Sequence, residues 1–175
     1  MFLNPDKSIA KLFLREGMRV ADFGSGSGFY VKALSKRVGH TGKVYAIEVQ
    51  RNLLTKLESE IKHEGMMNVS CIWGDVEKKG GTKIADDSMD AVVISNVLFQ
   101  VHDKLGLIDE AKRILKKDGK ILLIDWIESF GGVGPRSDHV VDQKQAESLF
   151  AKRGFQYVEN VSTSPHHYGI IFMHE

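Results

Sequence analysis

Three glycines at alternate positions close the run Val20-Ala21-Asp22-Phe23-Gly24-Ser25-Gly26-Ser27-Gly28, directly after an apolar stretch that ends in an acid. Glycine has no Cβ, so such a run turns tightly and lets a ligand come close to the backbone. A helix starting just beyond it exposes unpaired amide N–H groups, which can hold an anionic or carboxylate end of a ligand. Asp22 sets a carboxylate on one side of this crevice. Glu48 sets a second one, at the end of another apolar stretch, Lys43-Val44-Tyr45-Ala46-Ile47-Glu48. A carboxylate in that place can accept both hydroxyl protons of a ribose. Two acids around a glycine collar would repel a pyrophosphate and suit a ligand that carries an amino group or another positive centre.

These residues need a frame. Ile9, Leu12 and Phe13 predict an amphipathic helix over 8–15, inside a short N-terminal helical region spanning 4–16. Residues 18–23 read as a buried strand, 24–28 as the glycine loop, and 29–38 as a helix that Gly39 stops. A second strand over 43–48, a helix carrying Leu53, Leu54, Leu57 and Ile61, and a third strand over 68–73 follow. Residues 77–88 form a polar loop and 89–95 a fourth strand. A helix marked by Leu105, Ile108, Ala111, Ile114 and Leu115 is expected to close at Asp118-Gly119. A fifth strand covers 120–126, and Gly131-Gly132-Val133-Gly134-Pro135 is a strong loop signal. A last helix over 142–153 and strands over 155–161 and 168–174 complete the chain.

Strands alternating with helices predict an α/β fold, Rossmann-like and doubly wound around a mostly parallel sheet. Only six residues, 162–167, separate the last two strands, too few for a parallel crossover. They should meet antiparallel at one edge. No repeat or linker divides the chain, so residues 1–175 read as a single domain.

Composition narrows the partners. The chain has 175 residues, 42% hydrophobic and 27% charged, with a net charge of +1. That balance excludes wholesale disorder and gives no general reason to expect nucleic acid. The paired basic residues, such as Lys78-Lys79 and Lys116-Lys117, are dispersed among acids and read as solvated. No segment is apolar for long enough to cross a membrane and the start lacks a secretory pattern, so a cytoplasmic protein is expected. Cys71 is the one cysteine, and no metal site is expected.

A dinucleotide fingerprint requires glycine at the position Phe29 holds. The observed Asp-x-Gly-x-Gly-x-Gly instead resembles the first motif of the class I S-adenosylmethionine-dependent methyltransferases. The likeness continues in order along the chain. Val44-Tyr45-Ala46-Ile47-Glu48 resembles the second-strand motif, Trp73-Gly74-Asp75-Val76 the third, and Asp90-Ala91-Val92-Val93-Ile94-Ser95-Asn96-Val97-Leu98 the fourth. Residues 110–126 resemble the late helix-turn-strand segment. The nearest type is the ubiquinone/menaquinone-biosynthesis small-molecule methyltransferase.

The resemblance implies a seven-stranded sheet with an antiparallel edge strand. It implies S-adenosylmethionine as cofactor, S-adenosylhomocysteine as product and a small-molecule methyl acceptor. It places the cofactor on Asp22, Phe23, Gly24, Ser25, Gly26, Gly28 and Tyr30, then on Glu48 and Val49, Asp75 and Val76, and Asn96. It implies no universal catalytic residue, because in-line displacement needs positioning above all. His102 and His139 are the candidates for a base. Phe99, Trp126, Arg136 and Tyr168 are candidates for touching the acceptor, and Asp125, His166 and His167 are further candidates for its pocket.

Two departures matter. Ser95-Asn96-Val97-Leu98 lacks the Asn/Asp-Pro-Pro-aromatic form used on nucleic-acid bases, and one cysteine disfavours the arsenic methyltransferases. The region before the first strand is short, so the usual helical lid is largely missing. A partner subunit, as in a homodimer, or the 127–141 loop could supply the wall. The alternatives are an RNA or protein methyltransferase on the same scaffold, a non-catalytic cofactor-binding module, and a nicotinamide-dependent oxidoreductase.

Overall fold

The computed structural model describes residues 4–129 and 134–175. Glycines 131 and 132 and Val133, the centre of the expected glycine-rich loop, lie outside the described residues. Among those described, the strands β1 (Arg19–Phe23), β2 (Lys43–Glu48), β3 (Val69–Trp73), β4 (Met89–Ser95), β5 (Leu115–Trp126), β6 (Phe155–Asn160) and β7 (His167–His174) form one sheet. Its order is β3-β2-β1-β4-β5-β7-β6. Pairings from β3 across to β5 are parallel, whereas β7 pairs antiparallel with both β5 and β6. The chain builds outward from β1 through β2 to β3, then returns to β1's other side with β4. In such sheets the crevice beyond the strand C-termini, where the order reverses, is the ligand site.

Burial on both faces explains the unbroken apolar runs. On one face Ile121, Leu123 and Phe172 pack with Leu107, Ile108 and Ala111 of α4 (Lys104–Ile114) and Phe150 of α5 (Gln143–Ala151). On the other, Leu122 and Ile124 pack with Leu34 and Val38 of α2 (Val31–Val38) and with Ile9 and Leu12 of the N-terminal region. Each such leucine or isoleucine contributes about 1.5–3 kcal/mol by leaving water. α3 (Arg51–His63) lays Leu57 and Ile61 on Val31 and Ala46.

Two helices differ from expectation. The N-terminal one divides into α1 (Pro5–Ile9) and a 3-10 turn (Ala10–Leu12). Phe13 ends it at φ 52°, in the left-handed region, with its N–H on Ala10 O and the Lys120 ammonium 4.9 Å from its ring centre. The helix expected to close at Asp118-Gly119 stops at Ile114. Leu115 becomes extended, pairs with Met89 and is fully buried, so the core contact outweighs the turn signal. Asp118 and Gly119 then lie in an irregular start of β5, where the register against β4 shifts.

Candidate active site

β1 delivers Asp22 and Phe23 to the crevice with opposite fates, because successive strand side chains point to opposite faces. Phe23 is fully buried in the core; Asp22 is 3% exposed under the glycine loop. The loop is fastened to β2 by the Ser25 N–H on Ile47 O, at 2.9 Å. It is closed on itself by the Gly28 N–H on Ser25 O and by the Ser25 hydroxyl on Asp22 O. Glu48 is the pin. Its Oε2 accepts from the Gly26 N–H at 2.9 Å and its Oε1 from the Gln50 N–H at 2.8 Å. One carboxylate thereby fixes the glycine collar to the start of α3.

The glycines have distinct reasons. A Cβ on Gly28 would overlap the Leu57 side chain, so that glycine lets α3 approach. A Cβ on Gly26 would meet nothing nearer than 3.9 Å, so packing does not demand glycine there. What demands it is φ 53° and the open space it keeps in front of Glu48.

That space is a cleft of about 300 Å³. Of the sequence-predicted cofactor residues, Gly24, Gly26, Glu48, Val49, Asp75 and Val76 line it. Asp22, Phe23, Ser25, Gly28, Tyr30 and Asn96 are not in its wall. Phe23 belongs to the core, Ser25 and Gly28 shape the loop from behind, and Tyr30 is 3% exposed on the far face. Asn96 continues from β4 at φ 57°, its N–H bonded to Ile124 O. No group among the described residues hydrogen-bonds its Oδ1. Sequence reading did not assign Ile47, Gln50, Leu53, Gly74, Glu77, Val97, Gln100 and Val101, which complete the wall. Ile47, Gly74 and Val97 lie inside the recognisable motifs and the others follow them by a few residues, so their position at each strand end was the available signal.

Electrostatics set Asp22 apart. Burial pushes its carboxyl up to about 7; the Ser25 side chain works the other way, and the Glu48 charge adds to the rise. A positive ligand in the cleft would oppose both causes.

The rim is braced by Trp73, which donates from Nε1 to Val49 O at 3.0 Å. The Arg51 guanidinium lies 3.8 Å from its ring centre, and Lys83 donates to Trp73 O. Asp75 Oδ1 accepts from the Glu77 N–H, and Glu77 Oε1 accepts from the Asp103 N–H at 2.6 Å. The 77–88 loop, expected only as polar, is anchored by a carboxylate the sequence reading passed over. Glu110, 1% exposed, accepts from the Gly80 and Thr82 amides, the Thr82 hydroxyl, and Arg113 Nε and Nη2. Burial alone would raise its carboxyl, but these donors outweigh it and hold it at about 2.

A second cleft, about 670 Å³, lies between the segment after β4 and α5. Phe99, His102 and His139 line it; Trp126, Arg136 and Tyr168 do not. Trp126 rests on the His167 ring at 4.2 Å, Arg136 pairs with Asp138 at 3.0 Å, and Tyr168 is buried with its hydroxyl donating to Val141 O. His166 sits opposite Glu128 at 3.7 Å. Asp125 is fully buried beneath the segment, accepting from the Phe99 and Trp126 amides; burial lifts it to about 6 despite those amides. Among the described residues no three His, Cys, Asp or Glu side chains converge as metal ligands, and no helix is long and apolar enough to cross a membrane.

Comparison with known proteins gives the same picture. A family model described as a methyltransferase domain matches residues 14–161. The solved structure of a SAM-dependent methyltransferase from Aquifex aeolicus superposes with a TM-score of 0.89 at 27% identity, covering 98% of this chain and 90% of that one. A demethylmenaquinone methyltransferase of Staphylococcus aureus is 34% identical over 64% of this chain and 44% of its own length. A ubiquinone/menaquinone biosynthesis C-methyltransferase of Laribacter hongkongensis is 30% identical over 71% of this chain and 50% of its own. The chain thus spans about half the length of the curated relatives it matches.

Proposed function

The chain belongs to the methyltransferase-domain family, and from that premise we propose that it transfers a methyl group from S-adenosylmethionine to a small-molecule acceptor. The observation that carries the reading is Glu48: a nearly buried carboxylate held at the cleft wall by two backbone amides, facing a glycine whose missing side chain leaves room. The residues present fit the cofactor. Glu48 offers acceptor lone pairs for sugar hydroxyls, Asp75 and Val76 border the space for a base, and the raised Asp22, buried behind the glycine loop, favours a cationic amino-acid end through its charge.

Bound there, the cofactor would supply an already activated methyl group on a sulfonium. The chain's part is to fix the two reactants in line and keep water out, which can be worth up to ~7–11 kcal/mol. Gln100 and Val101, which line both clefts, form the partition across which the reactants would meet. His102, exposed in the second cleft, is the group offered as a base for an acceptor that needs one. The matches to demethylmenaquinone and ubiquinone/menaquinone methyltransferases support an acceptor of the ubiquinone/menaquinone type, and a cytoplasmic setting belongs to the same reading.

The test is calorimetry with S-adenosylhomocysteine on the intact protein and on Glu48→Ala, followed by transfer of labelled methyl from S-adenosylmethionine to a metabolite extract read by mass spectrometry. Saturable binding that Glu48→Ala removes, with label in a small molecule, is expected. An intact protein that binds no S-adenosylhomocysteine rules the proposal out.

A further inference from the structure

The second cleft carries more information than its position. At about 670 Å³ it has the size of a small-molecule site. Its wall is apolar at Phe99, Val101 and Leu149 and cationic at Lys104, Lys144 and Lys152. Lys104 comes from the start of α4, and its ammonium is steadied by donating to Val101 O at 2.9 Å. Lys144 and Lys152 stand exposed at opposite ends of the α5 region. Among the described residues of the wall the one acid is Asp138, and Arg136 already pairs with it through both Nε and Nη2. Lys104 feels the buried Asp125 carboxyl beneath Phe99, whereas Lys144 and Lys152 have no answering acid among the described residues of the wall. The partition of Gln100 and Val101 makes this cleft the neighbour of the first.

We propose that this cleft is the acceptor site and that it selects an anionic, amphipathic acceptor: a small apolar body seated on Phe99, Val101 and Leu149, with a carboxylate or similar acid group among the lysines. The proposal rests on the methyltransferase reading and adds the substrate's charge class to it. Arg136, a sequence candidate for touching the acceptor, is committed to Asp138; the lysines of α4 and α5 supply the free positive charge. An anion entering against the apolar wall loses part of its hydration, so its attraction to the lysines exceeds that of a pair open to water.

The test uses arene carboxylates of naphthoate size and their neutral primary amides as matched probes, on the intact protein with S-adenosylhomocysteine present. Affinities are read by ligand-observed NMR. The acids should bind about three- to tenfold more tightly than the amides, with a preference that weakens at high salt. Lys144→Met with Lys152→Met, which keeps the aliphatic stems and lies outside the first cleft, should remove most of the preference and leave S-adenosylhomocysteine affinity unchanged. For any acid that accepts label, the same pair should raise KM and spare kcat. Lys104→Met alone is the second variant and should give a partial loss. Equal binding of acid and amide, no binding of either, or a preference that the double substitution leaves undiminished overturns the proposal. Failure of S-adenosylhomocysteine to bind at all would instead strike the methyltransferase reading, so the two failures are distinguishable.

Discussion

The molecule buries carboxylates in two contrasting ways. Glu110 is surrounded by donors: two amides, a hydroxyl and a guanidinium, with its carboxyl held at about 2. Asp22, as deeply buried, stands near a second carboxylate and rises to about 7. A buried charge costs several kcal/mol unless its lone pairs are met, and Glu110's are met from within the chain. Around Asp22 the compensation is incomplete, beside the cleft that Glu48 and Gly26 frame. A fully answered buried charge closes a structure, whereas an under-answered one at a cleft waits for a ligand of opposite sign.

The largest expected effect tests the closed region. Glu110→Ala leaves Arg113, its side chain 15% exposed, without its main counter-charge and should cost about 3–5 kcal/mol in urea unfolding. The same network makes stability fall in acid. Glu110's folded value lies below its ordinary 4.5, so its contribution is complete above that pH and is lost as pH drops toward 2. A Glu110→Ala protein of unchanged stability that no longer bound S-adenosylhomocysteine would reverse the roles assigned to the two regions.

Glu48→Ala should do the opposite. S-adenosylhomocysteine affinity should drop about a hundredfold by calorimetry, while the unfolding free energy changes by no more than about 1.5 kcal/mol. Asp22→Asn sharpens the contrast further. Asp22's folded value exceeds its ordinary 3.8, so the fold retains a proton that the unfolded chain releases, and stability falls as pH climbs from 4 to 7. The asparagine variant should abolish that slope, making the ligand-free protein roughly 4 kcal/mol more stable at pH 8 and little changed at pH 4. It should also bind the cofactor less well. Gly26→Ala is the smallest: a side chain at φ 53° costs about 1–2 kcal/mol, and its methyl in the cleft should weaken S-adenosylhomocysteine about tenfold.

The open region was legible in the sequence and the closed one was not. The glycine run, Glu48 and Asp75 are local signals, each within a few residues of a strand end, and β2 and β4 have the expected bounds. Glu110's partners at Gly80 and Thr82 are about thirty residues away, and helical polarity alone reads as solvated. One clue existed: Glu110 falls on the same face as Leu107, Ile108, Ala111 and Ile114, an acid inside an apolar stripe. The early end of α4 escaped because Leu115 suits a helix locally and leaves it only for the core. Phe99, His102 and His139 line one cleft, whereas Tyr168 and Trp126, candidates on the same sequence grounds, lie outside it. Whether a β7 side chain meets a cleft or a carbonyl beneath it depends on the loop at Val141.

The brace at the cleft rim has a practical consequence. The chain has two tryptophans. Trp73 is 44% exposed, clasped by Arg51 and Lys83 and tied to Val49, a residue of the first cleft. Trp126, the last residue of β5, lies on the imidazole of His167 and lines neither cleft. Trp73 is thus the indole tied directly to a cleft residue, so ultraviolet emission from a variant that keeps it alone should report the arrival and departure of a nucleoside without any attached dye.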